Sequence, residues 1–244
     1  MKLINLNVEH DKHFDRVVSF VDRENPDVLC LQEATPLVKG ALEERGYTTA
    51  FLPIILATYK DELVSGGMLI ASKLPFTAKE HYYYQPNAEI VEEIPLDKIN
   101  TVWLGYIVAD IEFGGATYTI VTSHGAWTQH GNQPCEHQQA MMKLLIESLQ
   151  KEKPHVLCGD MNVPRHHSFL YENFLEQYTD SVPEEYASSL DKSIHYLGSN
   201  PEKQNLFTDF MVDYIFTQPP YKAEGVRLEF GISDHAAVVA TISK

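Results

Sequence analysis

"KPHVLCGDMN" (Lys153–Asn162) carries an apolar run, Val156-Leu157-Cys158, that stops at Gly159 and gives way to an acid, Asp160, and an amide, Asn162. The phrase occurs twice. "NPDVLCLQEA" (Asn25–Ala34) has the same Pro-x-Val-Leu-Cys core and reaches Glu33 three residues after its cysteine, whereas Asp160 stands two after Cys158. A helical pattern precedes each proline. A short apolar run bounded by turn residues predicts a strand buried on both faces or in a sandwich core. Each copy therefore reads as helix, proline, core strand, then a carboxylate at the strand's C-terminal end. Two such units predict matching halves.

Working outward, strand-like runs recur at Leu3–Val8, Val28–Leu31, Gly67–Ala71, Val102–Phe113, Thr117–Thr122, Val156–Cys158, Met211–Phe216, Val226–Phe230 and Ala236–Ile242. Several are rich in β-branched and aromatic residues. Between them, Phe14, Val17, Val18 and Val21 follow helical spacing, with Asp11 as the expected N-cap. In "TPLVKGALEERGY", Thr35 caps, Pro36 takes the first turn and Gly46 closes. A third stripe runs through Met141, Leu144, Leu145 and Leu149. "VWLGYIVADIEFGGATYTIVTSH" predicts a hairpin turning at Gly114-Gly115. Hairpins combined with packed helices predict an α/β sandwich of mixed sheets with helices outside, rather than an all-parallel sheet. No linker interrupts the chain, so residues 1–244 are expected to form one domain. The polar stretches 81–100 and 180–207 are expected to be long loops, either rims of a site or solvated connections.

Composition narrows the class. At 44% hydrophobic and 22% charged residues the chain is globular in type. No apolar run approaches the roughly 20 residues that span a bilayer, and the N-terminus lacks a signal-peptide pattern, so a cytoplasmic protein is expected. Cys30 and Cys158 lie inside apolar runs and are expected to be buried free thiols, which suits a reducing compartment. A net charge of −15 gives no support to holding nucleic acid mainly by phosphate neutralisation. It is compatible with a cleft whose largest local charge is a bound divalent ion.

Acids, amides and histidines gather at the predicted strand ends: Asn7, Glu33, His124, Asp160, Asn162, Asp213, Asp234 and His235. Loops favour Asn and Asp anywhere, but six strand ends bearing such residues form one rim in a layered α/β fold. Oxygen ligands of this kind suit Mg²⁺ or Mn²⁺ and phosphate chemistry. A histidine paired with an aspartate supplies a base or a hydrogen-bond donor. There is no His-x-x-x-His, cysteine cluster or Gly-rich phosphate loop. Arg165, followed by His166 and His167, is a candidate for substrate phosphate or a solvated loop. Trp127 is a candidate cleft wall or core residue, and Tyr82-Tyr83-Tyr84 a stacking platform or strand packing.

Taken in order, "INLNV", "PDVLCLQEA", "GGMLIASKLPF", "IVTSHG", "HVLCGDMNVP", "VDYIF" and "SDHAAVVATI" resemble the endonuclease/exonuclease/phosphatase superfamily, the DNase I-like fold, over nearly the whole chain. Leu6 before Asn7, and Ser123 and Gly125 around His124, depart from the commoner residues and leave the subfamily open. The resemblance implies a four-layered α/β sandwich with two mixed sheets packed face to face, and metal-dependent hydrolysis of a phosphate ester. It implies that Glu33, assisted by Asn7 and Asp234, holds Mg²⁺ or Mn²⁺. Asp160 would orient or deprotonate the attacking water and Asn162 position the phosphate. His235 with its partner Asp213, and His124, would contact the phosphate. The expected activity is a phosphodiesterase acting on a small-molecule diester, with a DNA or RNA nuclease as the alternative. No obligate protein partner is expected. A non-catalytic binding module on the same fold should have lost one of Glu33, Asp160, Asp213 or His235, and all four are present.

Overall fold

The computed structural model describes residues 1–59, 62–90, 102–128 and 133–244. The chain begins β1 (Lys2–Asn7), α1 (Phe14–Glu24), β2 (Val28–Ala34), α2 (Pro36–Glu43), β3 (Thr48–Tyr59) and β4 (Glu62–Ser72). It continues β5 (Phe76–Tyr84), β6 (Leu104–Phe113), β7 (Ala116–Ser123), α3 (Glu136–Leu149), β8 (Val156–Asp160), α4 (Phe169–Leu175) and β9 (Thr179–Asp180). After a 3-10 helix (Pro201–Phe207) come β10 (Asp213–Thr217), β11 (Lys222–Glu229) and β12 (Ala237–Ser243).

Two six-stranded sheets form, ordered β11-β12-β1-β2-β4-β3 and β5-β6-β7-β8-β10-β9. Each is antiparallel except at its centre, where β1 runs parallel to β2 and β7 parallel to β8. Those parallel pairs need crossovers, and α1 and α3 supply them. Strand alternation then sorts the core. Leu29 and Leu31 of β2 turn outward to Val17, Phe20 and Val21 of α1 and Val38 and Leu42 of α2. Val28 and Cys30 turn inward, into one cluster with Ile107, Val121 and Cys158 of the other sheet. Met142 and Leu145 of α3 and Phe174 of α4 join that cluster from the far side. The architecture is the expected α/β sandwich. The two Pro-x-Val-Leu-Cys strands are the second members of the two parallel pairs, facing each other through Cys30 and Cys158, both fully buried free thiols.

Two local expectations need correction. Asp11 does not cap α1; it accepts a hydrogen bond from Thr35 Oγ1, and the helix begins at Phe14 after His13. Thr35 does cap α2, accepting from Val38 N at 3.5 Å. The stretch read as a loop from residue 81 starts inside β5, where Tyr82 donates to the Pro53 carbonyl at 2.7 Å and packs edge-on against Trp103. The tyrosines there serve strand packing; residues 91–100 of that stretch lie outside the described residues. Among the described residues no helix is long and apolar enough to cross a membrane.

Candidate active site

The parallel pairs send the C-terminal ends of β1, β2, β7 and β8 to one rim, and the antiparallel β10 and β12 begin there. Below the rim a buried polar layer ties the sheets: Gln32 Nε2 donates to Asn5 Oδ1 (2.9 Å) and to Thr122 Oγ1 of the opposite sheet (3.0 Å). Above it the Asn7 amide does the same for the acids. Asn7 Nδ2 donates to Glu33 Oε1 at 3.0 Å and to Asp160 Oδ2 at 3.2 Å, so one NH₂ group holds the two halves' carboxylates together.

Glu33 reaches this position through a bulge. The β2–β4 register shifts between Leu31 and Ala34, and Glu33 adopts φ 55°. Among the described residues six non-glycines have positive φ, and four of them (Glu9, His10, Glu33 and Asn162) stand at this rim. Such backbone is uncommon outside glycine, and its concentration here makes the rim the candidate functional site. Asp160 is presented without distortion, in ladder register with Asp213.

Two imidazoles cover Asp160. His124 Nε2 lies 3.5 Å from its Oδ2 and His235 Nε2 lies 3.9 Å away. Asn162 Nδ2 is 3.2 Å from His124 Nε2 and donates to the Gly125 carbonyl at 3.0 Å, while its backbone N–H donates to Asp160 Oδ1 at 2.9 Å. His235 Nδ1 pairs with Asp213 Oδ2 at 2.7 Å, which turns Nε2 toward Asp160.

The electrostatics arise from burial set against these contacts. Burial alone would raise the Asp160 pKa; His124 and the charge of His235 outweigh it and hold the carboxyl at about 2. Burial would lower both histidines, yet Asp160 and Glu33 raise His124, and Asp213 raises His235 well above the ordinary value. Burial raises Asp213 and lifts Asp234 to about 6.

Asp234 lies within electrostatic reach of Glu33 and Glu9. It shares a pocket of ligand atoms with Glu9 and His13, and Asp160, Asp213 and His235 form another. The sequence reading missed Glu9, His10 and His13. Glu9 N donates to Asn7 Oδ1 (3.1 Å), and His10 Nδ1 stands 3.4 Å from Glu33 Oε2. Their only signal was proximity to Asn7, because two consecutive left-handed residues turn them back onto the rim.

The residues present fit a hard divalent cation. The donors are mainly carboxylate oxygens, several of them buried, and Asp213 Oδ1 is buried with no hydrogen-bond partner among the described residues. Such a surplus of oxygen charge suits an ion with oxygen ligands rather than zinc.

Arg165 is not part of this arrangement. Its buried guanidinium is bound to Asp180 Oδ2 through Nε (3.1 Å) and Nη2 (2.6 Å), and to the Val182 carbonyl at 2.8 Å. His166 and His167 pair with Glu184 and Asp209. Trp127, in the segment after His124, is 39% exposed and available to a ligand.

The chain belongs to the Endonuclease/Exonuclease/phosphatase family, whose sequence model matches residues 4–235. Members of that family are generally hydrolytic phosphoesterases, typically dependent on divalent metals, and some are non-catalytic. Solved structures share the fold. An endonuclease/exonuclease/phosphatase from Beutenbergia cavernae is 17% identical, with TM-score 0.73 over 99% of this chain and 71% of that one. TDP2 from D. rerio, complexed with a single-strand DNA product, is 16% identical, with TM-score 0.71 over 100% and 99%. The human Nocturnin catalytic domain, with a bound sulfate anion, is 14% identical, with TM-score 0.66 over 100% and 93%. Comparison with curated protein sequences gave no significant match.

Proposed function

We propose that the protein is a Mg²⁺- or Mn²⁺-dependent phosphodiesterase that hydrolyses its substrate by in-line attack of water at phosphorus. The observation that carries this reading is the convergence of Glu33 and Asp160 on the single amide of Asn7, with His124 and His235 over Asp160. Glu33, Asn7 and Asp234 would hold the ion. When bound, the metal neutralises charge on the phosphate and the leaving oxygen. Asp160 accepts a hydrogen bond from the attacking water and aligns it, its own orientation fixed by the Asn162 N–H. His235 Nε2 and His124 offer hydrogen bonds to the non-bridging oxygens, and Asp213 fixes the His235 ring. Asn162 positions the phosphate, and Trp127 lines the approach. The net charge of −15 favours a small diester over a polyanion.

Hydrolysis of an aryl phosphodiester with Mn²⁺, compared with EDTA and with His235→Ala, tests the reading. Activity in the metal arm alone supports it; equal rates in all arms refute it. A nuclease is the second reading, favoured by the fold shared with the DNA-bound D. rerio TDP2. Nicking of supercoiled plasmid that outpaces diester cleavage would establish it instead.

A further inference from the structure

Residues 188–198 were expected to be part of a long loop, yet they are fastened to the segment that carries His235, just before β12. Leu190 forms an antiparallel bridge with His235. Asp191 N donates to the Asp234 carbonyl and Ala236 N to the Ser189 carbonyl, both at 2.7 Å. Ser189 Oγ accepts from the backbone of Val212 (3.2 Å) and Asp213 (3.3 Å). The loop is thus an added edge of the site itself.

Asp191, buried, organises the next turn of the chain. Its Oδ1 accepts from Ser193 N (2.8 Å) and Ser193 Oγ (2.6 Å), and its Oδ2 from Gly231 N (2.6 Å). Its carbonyl accepts from His195 N at 2.8 Å, closing one helical turn. That turn delivers His195 within electrostatic reach of His235, Glu9 and Lys12. The ring is fixed by stacking on Tyr196 (4.8 Å) and by the edge contact with Phe207 (5.5 Å). Leu197 N donates to Nδ1 at 3.1 Å, which places the ring proton on Nε2. Among the described residues Nε2 makes no hydrogen bond.

We propose that His195 is a substrate-contacting residue, its Nε2–H donating to an oxygen of the bound phosphate ester beside His235, and that Asp191 is its positioning residue. Burial, with the neighbouring charge of His235, holds the His195 pKa down at about 4, so the ring acts as a neutral donor. It hydrogen-bonds the ester without adding a further cation beside His235. Nothing in residue spacing announces this role, because the turn is set by Asp191 and not by a strand end.

The inference rests on the phosphodiesterase reading, and its test separates the two. With an aryl phosphodiester and Mn²⁺, His195→Phe keeps the aromatic stacking and should lower kcat/KM about tenfold, mainly through KM. His195→Gln, which keeps a donor, should recover most of the loss. Asp191→Ala should match His195→Phe, and the double variant should be no worse than either alone, because one interaction is removed by two routes. If His195→Phe stays within twofold of wild type while Glu33→Ala is inactive, the role of His195 is refuted and the phosphodiesterase reading stands. Additive losses would overturn the positioning role of Asp191. If Glu33→Ala is as active as wild type, both inferences fall.

Discussion

The two Pro-x-Val-Leu-Cys strands occupy equivalent central places in the two sheets, and they part at their ends. β2 bulges, which leaves Glu33 in left-handed backbone with its longer side chain 27% exposed. β8 runs straight into register with Asp213, and Asp160 lies 2% exposed beneath two imidazoles. The repeated strand fixes where an acid stands. One residue of backbone irregularity decides whether it meets solvent or is enclosed. An exposed carboxylate can accept an ion from solution; an enclosed one, bonded on both oxygens, holds a fixed direction.

The largest expected effect tests that division. Glu33→Ala and Asp160→Asn should each lower kcat on an aryl phosphodiester about a thousandfold. Their binding behaviour should differ. Added Mn²⁺ should raise the Tm of wild type and of Asp160→Asn, and leave Glu33→Ala unmoved, because ligand binding to the native state stabilises it. Thermal shift in matched metal titrations measures this. Loss of the shift in Asp160→Asn would mean that both acids hold one ion, and the proposed separation of roles would be wrong.

The chain also leaves the two strands differently. After β2 it enters α2 under the Thr35 cap; after β8 it turns on the buried Arg165–Asp180 pair. Arg165→Met leaves the buried Asp180 carboxylate without its cation, held only by the Tyr171 hydroxyl and the Val182 N–H, and should cost about 4 kcal/mol in urea unfolding. Thr35→Ala should cost about 1 kcal/mol. A cost for Arg165→Met below that of the cap would show that the pair does not hold the β8 exit.

Within the strands, Leu31 and Gly159 directly follow the paired cysteines. A Cβ on Gly159 would sit 2.0 Å from the Ser123 carbonyl oxygen, and backbone cannot yield as a side chain does. Gly159→Ala should destabilise by about 3 kcal/mol and loosen Asp160, the next residue. Equilibrium unfolding, with activity measured on the folded protein, reports both effects.

Much of this was legible in sequence where a period or a cap encodes it. The hairpin at Gly114-Gly115 was one such feature, with φ of 61° and 80°, and the Thr35 cap another. Strand-end residues were legible too, because an acid after an apolar run can stand only on the rim. β3 was not: "TTAFLPIILATY" does not alternate cleanly, and its pairing slips between Pro53 and Ile55. Asp11 resembled a cap because its chemistry suits one, but Thr35 lay within reach and took it. Glu9, His13 and His195 arrive through turns and side-chain ties, which leave no periodic trace.

The smallest expected effect concerns the one variable residue of the repeated phrase. Asp27, in the first copy, accepts from Lys2 N at 2.7 Å near the surface. His155, in the second, is fully buried between the Lys153 carbonyl (2.8 Å from Nδ1) and the Tyr178 hydroxyl (2.8 Å from Nε2). Burial lowers its pKa below the ordinary 6.5, more than Lys153 and Glu152 raise it. The unfolded chain therefore takes up this proton first as pH falls. The stabilisation from keeping His155 neutral is complete above about pH 6.5 and is lost as pH falls toward the folded value. One proton sets the limit on the slope, about 1.4 kcal/mol per pH unit. His124 and His235, whose pKa values are raised, act in the opposite sense, so the wild-type profile alone is not diagnostic. The test is the difference in unfolding free energy between wild type and His155→Gln from pH 7.5 to 5.5 (about two units, within the range where native proteins stay folded). That difference should shrink as the solution acidifies, because only wild type has this histidine to protonate on unfolding. Parallel profiles would show that the buried ring titrates alike in both states, and that the two copies differ in sequence here without differing in their response to pH.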